Sequence, residues 1–186
     1  MVAGVPLALT FHVARVDGPA CAPLAGAYLD VWHADPAGAY SDVAGFGTPG
    51  GGGPGPRGRA RQPGAGPKFL RGYQVTDATA AAHFQTVYPG WYAGRAVHVH
   101  FKLRLYAGAA KTYEFTSQFF FDDALTDRVH AGAAPYSARG PREVRNVDDG
   151  VFNELGAAER GALTLRAAPA PGAGYAGVID LAVRVG

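Results

Sequence analysis

The chain has 186 residues, 48% of them hydrophobic, and 17 basic against 15 acidic side chains give it a formal charge of +2. The length and the hydrophobic fraction predict one compact domain over residues 1–186 with an apolar core. Because the sequence has no basic patch interleaved with aromatic residues, we expect no nucleic-acid partner. No apolar run approaches the ~20 residues of a membrane helix and the chain does not start with a signal-peptide profile, so we expect no membrane partner. Cytoplasmic and secreted locations both stay open, because a leader could have been removed.

The composition and periodicity of the chain are typical of an all-β protein. Gly and Pro number 27 and 14, which favours many turns. Only residues 123–131 have a helical pattern, with Leu125 and Val129 one turn apart. Alternating apolar and polar residues predict strands at 6–16, 24–33, 69–75, 82–88, 97–105, 112–121, 163–167 and 175–185. We therefore predict an antiparallel β-sandwich with long loops and one short helix.

Two loops interrupt the strands. DPAG at 35–38 is a turn signature, because proline fixes φ and glycine tolerates conformations that other residues avoid, and Tyr40 follows it closely. Residues 44–67 are so rich in glycine and proline that they cannot pack as regular structure. For this long loop, a solvated insertion and a lid over a nearby site are both open.

Residues 88–103, YPGWYAGRAVHVHFKL, concentrate the polar groups that could carry chemistry. From Val97 onward the residues alternate as in a strand, so His98 and His100 share one face. The apolar residues that alternate with them, Val97, Val99, Phe101, Leu103 and Leu105, point to a core. Two imidazoles placed in this way can reach one metal ion at ~2 Å. A pair of histidines alone is equally typical of a solvated strand face.

The other candidate ligands near this pair are tyrosines. No acidic residue lies within six positions of the histidines, whereas Tyr40 and Tyr92 both follow turns. A phenol ionises near pH ~10, so it binds a metal as phenolate only where a strong Lewis acid displaces its proton. Ferric iron can do so, and two phenolates with two neutral imidazoles would form a centre able to chelate a catechol. A zinc hydrolase would instead need a carboxylate ligand from elsewhere in the fold.

Two motifs resemble those of intradiol ring-cleavage dioxygenases, the catechol and protocatechuate dioxygenases. VWHADPAGAYSD at 31–42 is similar to the motif that supplies one iron-binding tyrosine, and PGWYAGRAVHVHF at 89–101 to the motif that supplies a tyrosine and two histidines. The resemblance runs from about residue 6 to residue 155. It implies a single catalytic domain with a prealbumin-like sandwich, non-haem Fe(III) as cofactor, and a catechol and O2 as substrates. The expected reaction inserts both oxygen atoms and gives a cis,cis-muconate-type diacid.

The resemblance also implies individual roles for residues of this chain. By analogy with the matching residues of that family, Tyr92 would leave the metal when substrate binds and would accept a proton. Arg95 would stabilise negative charge on the ring, and Gln118 would lie near substrate and oxygen. Strand alternation would direct Arg95 away from His98. For Arg95 to reach the site, we expect it to lie in the loop before the regular strand or on a bulge. The metal ligands implied by the resemblance are Tyr40, Tyr92, His98 and His100.

The chain also departs from the larger enzymes of this family. His98 follows Tyr92 by only six residues, as in a branch of small, often secreted relatives, and the N-terminal helical domain of typical catechol dioxygenases is missing. Relatives in that branch tend to have a cysteine near Cys21 and another where Ala34 stands, so neither a disulfide nor secretion follows here. The substrate substituent and the oligomeric state, including a homo-oligomer, stay open.

A different class of protein remains an alternative. Similar sandwich strands and turns occur in transthyretin-like and carboxypeptidase-regulatory-like domains, which are non-catalytic binding modules. Such a module would bind no iron and would tolerate the loss of either histidine.

Overall fold

The computed structural model describes residues 2–41 and 68–185, which form an all-β sandwich of two five-stranded sheets. The predicted loop 44–67 lies outside the described residues. The strands of the described chain are β1 (Pro6–Asp17), β2 (Ala20–Pro23), β3 (Tyr28–Trp32), β4 (Arg71–Val75), β5 (Ala81–Val87), β6 (His98–Ala107), β7 (Ala110–Phe121), β8 (Thr164–Leu165), β9 (Ala168–Pro169) and β10 (Tyr175–Arg184).

The first sheet is built around β1. One edge of β1 pairs in parallel with β10, while β5 and β2 pair antiparallel with successive parts of its other edge. β9 extends this sheet beyond β10. Every second residue of β1 and β10 is buried, from Leu7 to Val13 and from Gly177 to Val183, because successive side chains of a strand point to opposite faces.

The second sheet has the order β4-β3-β6-β7-β8, with β6 at its centre. Val99, Phe101 and Leu103 of β6 are fully buried and face the first sheet. The two sheets meet where the Phe11 ring of β1 lies 6.2 Å from Phe101 and 5.9 Å from Phe119 of β7, measured between ring centroids. The opposite face of β6 therefore carries His98, His100 and the cationic residues that follow them.

The prediction of an all-β sandwich is confirmed, and two details differ from it. Both sheets are mixed rather than wholly antiparallel, because β10 runs parallel to β1 and β8 parallel to β7. The described chain also has more than one helix, namely α1 (Asp123–Gly132), α2 (Ala134–Ser137), α3 (Gly150–Glu154) and α4 (Ala157–Ala162). The three additional helices have four to six residues, too few to show a helical period in the sequence. No helix in this part of the chain has both the length and the apolar character needed to cross a membrane.

Candidate functional site

The two histidines of the central strand begin the candidate site. β6 starts at His98, and the strand's alternation places His100 on the same face. Their Nε2 atoms are 3.1 Å apart, and their rings meet edge to face with centroids 4.6 Å apart. The sequence prediction that both imidazoles share one face is confirmed by this geometry.

Tyr40 and Tyr92 approach the same point from two loops that lie before β6 in the chain. The hydroxyl of Tyr40 lies 3.3 Å from His98 Nε2, and that of Tyr92 lies 3.2 Å from the same atom. The two phenol rings contact each other edge to face, with centroids 5.6 Å apart. The structure therefore brings together all four residues that the sequence motifs suggest as metal ligands.

Two glycines explain how these loops pack so closely. Gly90 donates its N–H to the carbonyl of Asp35 at 3.1 Å, and a Cβ at Gly90 would collide with the carbonyls of Asp35 and Pro36. Gly38 has φ +79° and lies so close to the backbone of Trp91 that a side chain would not fit. The glycines of DPAG and of YPG thus join the two tyrosine loops, backbone against backbone.

The spacing of the four donor atoms fits one metal ion. Donors held about 2.1 Å from a common ion, at angles between a right angle and the tetrahedral angle, are about 3.0–3.4 Å apart. The observed separations from His98 Nε2 are 3.1, 3.2 and 3.3 Å. His98 Nδ1 lies 2.7 Å from the carbonyl of Ala96, which can only accept, so this nitrogen carries the proton and Nε2 keeps its lone pair.

Without a metal ion, the surroundings keep the two imidazoles and the two phenols uncharged. Burial lowers the pKa of His98 well below its ordinary value and that of His100 to about 4, helped by the nearby charge of Arg95. Burial raises the pKa of both Tyr40 and Tyr92, and the charge of Arg95 opposes this effect at both. Neutral imidazoles can bind a metal directly, whereas the phenols must first lose their protons to a strong Lewis acid.

Arg95 lies in the turn before β6, where the sequence places it. Its Nε donates to Asp149 Oδ2 at 2.9 Å, and its side chain is only 16% exposed. Its Nη2 is buried and has no hydrogen-bond partner among the described residues. The guanidinium thus adds a fixed positive charge beside the four donor atoms.

Gln118 and Trp32 flank His100 in one row across the sheet. Gln118 of β7 and Trp32 of β3 are both paired in register with His100, so the three side chains lie on the same face. The indole of Trp32 stacks on the imidazole of His100, with ring centroids 5.0 Å apart and planes inclined by 8°. Gln118 is buried, and its Nε2 has no partner within the described part of the chain. An amide donor is therefore available next to the cluster.

Asp149 is a site residue that the sequence analysis did not identify. Its side chain is fully buried, and Oδ2 accepts hydrogen bonds from Arg95 Nε at 2.9 Å and from the backbone N–H of Ala96 at 2.7 Å. Its Oδ1 caps α3 by accepting from the N–H groups of Val151 and Phe152. The sequence signal is an aspartate directly before a short helix, which predicts a cap but not a contact with a residue 54 positions away.

Other polar candidates lie outside the cluster. His33 is buried in the sandwich, where its ring bonds to Thr86 and to the carbonyl of Ala34, and exposed His83 pairs with Thr10. Residues 2–41 and 68–185 contain no group of three or more His, Cys, Asp and Glu side chains that could hold a metal. The carboxylate ligand that a zinc hydrolase would need is thus missing from the described chain.

Comparison with solved structures found dioxygenases. The chain is similar to an intradiol ring-cleavage dioxygenase from Tetranychus urticae, with 28% identity, a TM-score of 0.76, and coverage of 98% of this chain and 82% of that one. A dioxygenase domain from a carbohydrate-binding fusion protein of Streptomyces sp. SirexAA-E is 29% identical, with a TM-score of 0.60 and coverage of 100% and 83%.

A more distant structure shares the fold. It is a 3-chlorocatechol 1,2-dioxygenase from Rhodococcus opacus 1CP, with 19% identity, a TM-score of 0.58, and coverage of 99% of this chain and 62% of that one. Neither protein-family models nor curated protein sequences gave a match.

Proposed function

Since this chain belongs to the intradiol ring-cleavage dioxygenase family and is an enzyme of that class, we propose that it uses non-haem Fe(III) to cleave a catechol with O2. Both oxygen atoms would be retained in a cis,cis-muconate-type diacid. The observation that carries the proposal is the convergence of three donor atoms, from Tyr40, Tyr92 and His100, within 3.3 Å of His98 Nε2.

The four converging residues would hold the iron. Two phenolates and two neutral imidazoles provide hard oxygen and borderline nitrogen donors, and the phenolates offset two of the three positive charges of Fe(III). When bound, the ion supplies a Lewis-acidic centre that both catechol oxygens can chelate and that makes the ring reactive toward O2. The low pKa values of His98 and His100 favour metal binding, because neither imidazole must first lose a proton.

Tyr92 would take up a proton from the catechol. Its hydroxyl is held in a buried site, and the positive charge of Arg95 lowers its pKa while burial raises it. The catechol must lose its hydroxyl protons to chelate, so a phenolate that leaves the metal is a suitable base. Tyr40, whose pKa is raised more strongly by burial, would stay bound.

Arg95 and Gln118 would act on the substrate itself. The guanidinium, oriented by Asp149, would stabilise negative charge that develops on the catechol ring in a site where water is largely excluded. The amide of Gln118, directly opposite His100, would donate a hydrogen bond to a bound oxygen atom.

A non-catalytic sandwich module does not explain these features. Such a module has no need for a buried cluster of two phenols and two imidazoles, or for a nearly buried arginine beside it. Within the described ranges no group of three or more His, Cys, Asp and Glu side chains could hold a metal, which also weakens the zinc hydrolase alternative.

The proposal is tested with iron-loaded protein. We expect one Fe(III) per chain, a visible absorption band from tyrosinate-to-ferric charge transfer, and O2 uptake with catechol that yields cis,cis-muconate. The product separates intradiol from extradiol cleavage, since the latter would give a yellow semialdehyde. Iron-replete protein with no visible band would refute the ligand assignment.

His98→Gln and His83→Gln form a matched pair for this experiment. His98→Gln removes the atom on which all donors converge and should abolish iron binding and O2 uptake. His83→Gln changes an exposed histidine of β5 and should behave as the parent protein. Equal iron content in the two variants would argue against the site.

A further inference from the structure

A cavity lies beside the candidate metal centre, on the outer face of the second sheet. It has a volume of about 410 Å³ and is formed by the outward side chains of β3, β4 and β6 together with the segment before β4. The lining residues that matter here are Asp30, Trp32, Lys68, Arg71, Tyr73 and Lys102. We call this cavity the Trp32 pocket.

Trp32 connects the pocket to the metal cluster. One face of its indole stacks on His100, at 5.0 Å between ring centroids, and the same side chain lines the pocket. His100, Trp32 and Arg71 are paired in register on three adjacent strands, so they form one row across the sheet. A ligand that is bound at the cluster and extends past Trp32 therefore enters the pocket.

The charge of the pocket is positive. Among the described residues that line it, three side chains are cationic (Lys68, Arg71 and Lys102) and one, Asp30, is anionic. Asp30 already accepts hydrogen bonds from two nitrogens of Arg104, Nε at 2.6 Å and Nη2 at 2.9 Å. Glu114, the partner of Lys102 at 3.1 Å, also accepts a hydrogen bond from Lys111 and is thus shared between two lysines.

The distances match a small substituted catechol. Adjacent strands are about 4.8 Å apart, which places the backbone of Arg71 roughly 10 Å from that of His100, and Lys102 lies about 7 Å along β6 from His100. An extended chain gains about 1.2 Å per bond, so a ring with a two- or three-carbon side chain spans a distance on this scale. A neutral alkyl group would not use the cations, whereas a carboxylate would.

We infer that the Trp32 pocket is a substrate subsite for a carboxylate on a short side chain of the catechol. The inference rests on the proposed ring-cleavage function and specifies the class of substrate. The aromatic ring would be held at the cluster, the side chain would pass the edge of Trp32, and the carboxylate would be bound by Arg71 and Lys102. Arginine suits this role because its planar fork matches the two oxygens of a carboxylate.

The first experiment compares 3-(3,4-dihydroxyphenyl)propanoate with its methyl ester. Both contain the same catechol and the same chain, and only the acid carries a charge. Exposed ion pairs contribute about 0.2–1 kcal/mol each, so two of them should make kcat/KM for the acid about five times higher than for the ester. This preference should decrease at high salt because the charges are solvent-accessible. A ratio near one at low salt would overturn the inference.

The Arg71→Gln/Lys102→Gln variant tests the residues. The preference for the acid should fall to a ratio near one in this variant. Lys111→Gln is the control, because Lys111 pairs with the same Glu114 at 2.5 Å but does not line the pocket. It should keep the parental ratio. Retention of the preference in the double variant, or its loss in Lys111→Gln, would contradict the assignment.

A binding measurement separates failure of this inference from failure of the proposed function. If no catechol is cleaved, the proposed function is wrong. Titration of the protein with 3-phenylpropanoate, which has no hydroxyl groups and cannot chelate, still tests the pocket through tryptophan fluorescence. The subsite would be supported if the acid quenched the fluorescence several times more strongly than the neutral amide and if this quenching were lost in Trp32→Phe. Equal quenching by acid and amide would refute it.

Discussion

At the scale of single residues, Asp149 and Arg95 determine how the candidate ligands are presented. One carboxylate oxygen accepts hydrogen bonds from both the Arg95 side chain and the Ala96 N–H, and the carbonyl of Ala96 in turn accepts a hydrogen bond from His98 Nδ1. The orientation of the arginine and the protonation state of the histidine therefore depend on the same short segment. Metal-binding histidines are commonly oriented through their second nitrogen in this way.

Arg95→Ala should reduce turnover more than iron content. The guanidinium is held by Asp149 and is not itself one of the four candidate ligands, so its removal should leave the ligands in place while it removes the charge that stabilises the ring. Metal analysis and steady-state kinetics on the same sample measure the two effects. A large loss of iron would instead give Arg95 a mainly structural role.

Asp149→Asn should lower both stability and turnover. An amide nitrogen in place of Oδ2 cannot accept from Arg95 Nε and Ala96 N–H, so buried donors lose their partner at a cost of about 1–3 kcal/mol. Chemical denaturation measures the free energy of unfolding, and the charge-transfer band reports any change at the ligands.

Asp148→Asn is the matched control for this substitution. Asp148 is the neighbouring residue but is exposed, so its variant should retain the parental stability and spectrum. If Asp149→Asn had the same stability and the same turnover as the control, the positioning role of Asp149 would be excluded.

At the scale of elements, the helical segment α1–α2 supports the loop that carries Tyr92. Tyr136 of α2 donates its hydroxyl to the carbonyl of Tyr88 at 2.7 Å, and His130 of α1 lies 3.0 Å from the carbonyl of Pro89. The indole N–H of Trp91 donates to the carbonyl of Gly140 at 3.3 Å. Three of the four residues before Tyr92 are therefore anchored, two to these helices and one to the turn that follows α2.

Tyr136→Phe should destabilise the protein and weaken iron binding. Its hydroxyl accepts from the N–H of Val5 at 3.1 Å as well as donating to Tyr88, so the variant leaves two backbone groups without their partner. The expected cost is about 1–3 kcal/mol, measured by denaturation, and the iron dissociation constant should rise because the Tyr92 loop loses an anchor.

Tyr113→Phe provides the comparison for that variant. Tyr113 lies on β7 and is packed at the periphery of the core, away from the Tyr92 loop. An equal loss of iron affinity in both variants would show that the effect is not specific to the anchor.

At the scale of the whole molecule, a buried histidine should make stability depend on pH. Burial lowers the pKa of His33 from its ordinary value of 6.5 to about 4. Between these values the unfolded chain binds a proton that the folded protein does not. The free energy of unfolding should therefore be highest above pH 6.5 and should fall on acidification towards pH 4, by at most about 1.4 kcal/mol per pH unit from this group.

His33→Gln should make this pH dependence shallower. Glutamine does not titrate, so the contribution of position 33 disappears from the slope, whatever the other histidines contribute. Thermal or chemical denaturation at pH 4.5 and 7 measures the difference. His83→Gln, at an exposed position, should keep the slope of the parent protein, and a parental slope in His33→Gln would contradict the prediction.

The sequence alone was sufficient for the local features of this protein. Strand alternation predicted the core face of β6 and the common face of His98 and His100, because the direction of a side chain depends only on its position along the strand. Proline and glycine predicted the turn before Tyr40 because they restrict or widen φ locally. The two motifs also sufficed to suggest the four ligands and the family.

Only the tertiary structure decided which distant residues meet. Tyr40 reaches a histidine 58 positions later, and Asp149 reaches an arginine 54 positions earlier, through loop packing and strand register that have no local signal. The same holds for the parallel pairing of β1 with β10 and for the Trp32 pocket, which three strands form together. Periodicity determines the face on which a residue lies, whereas the packing of whole elements determines what lies opposite that face.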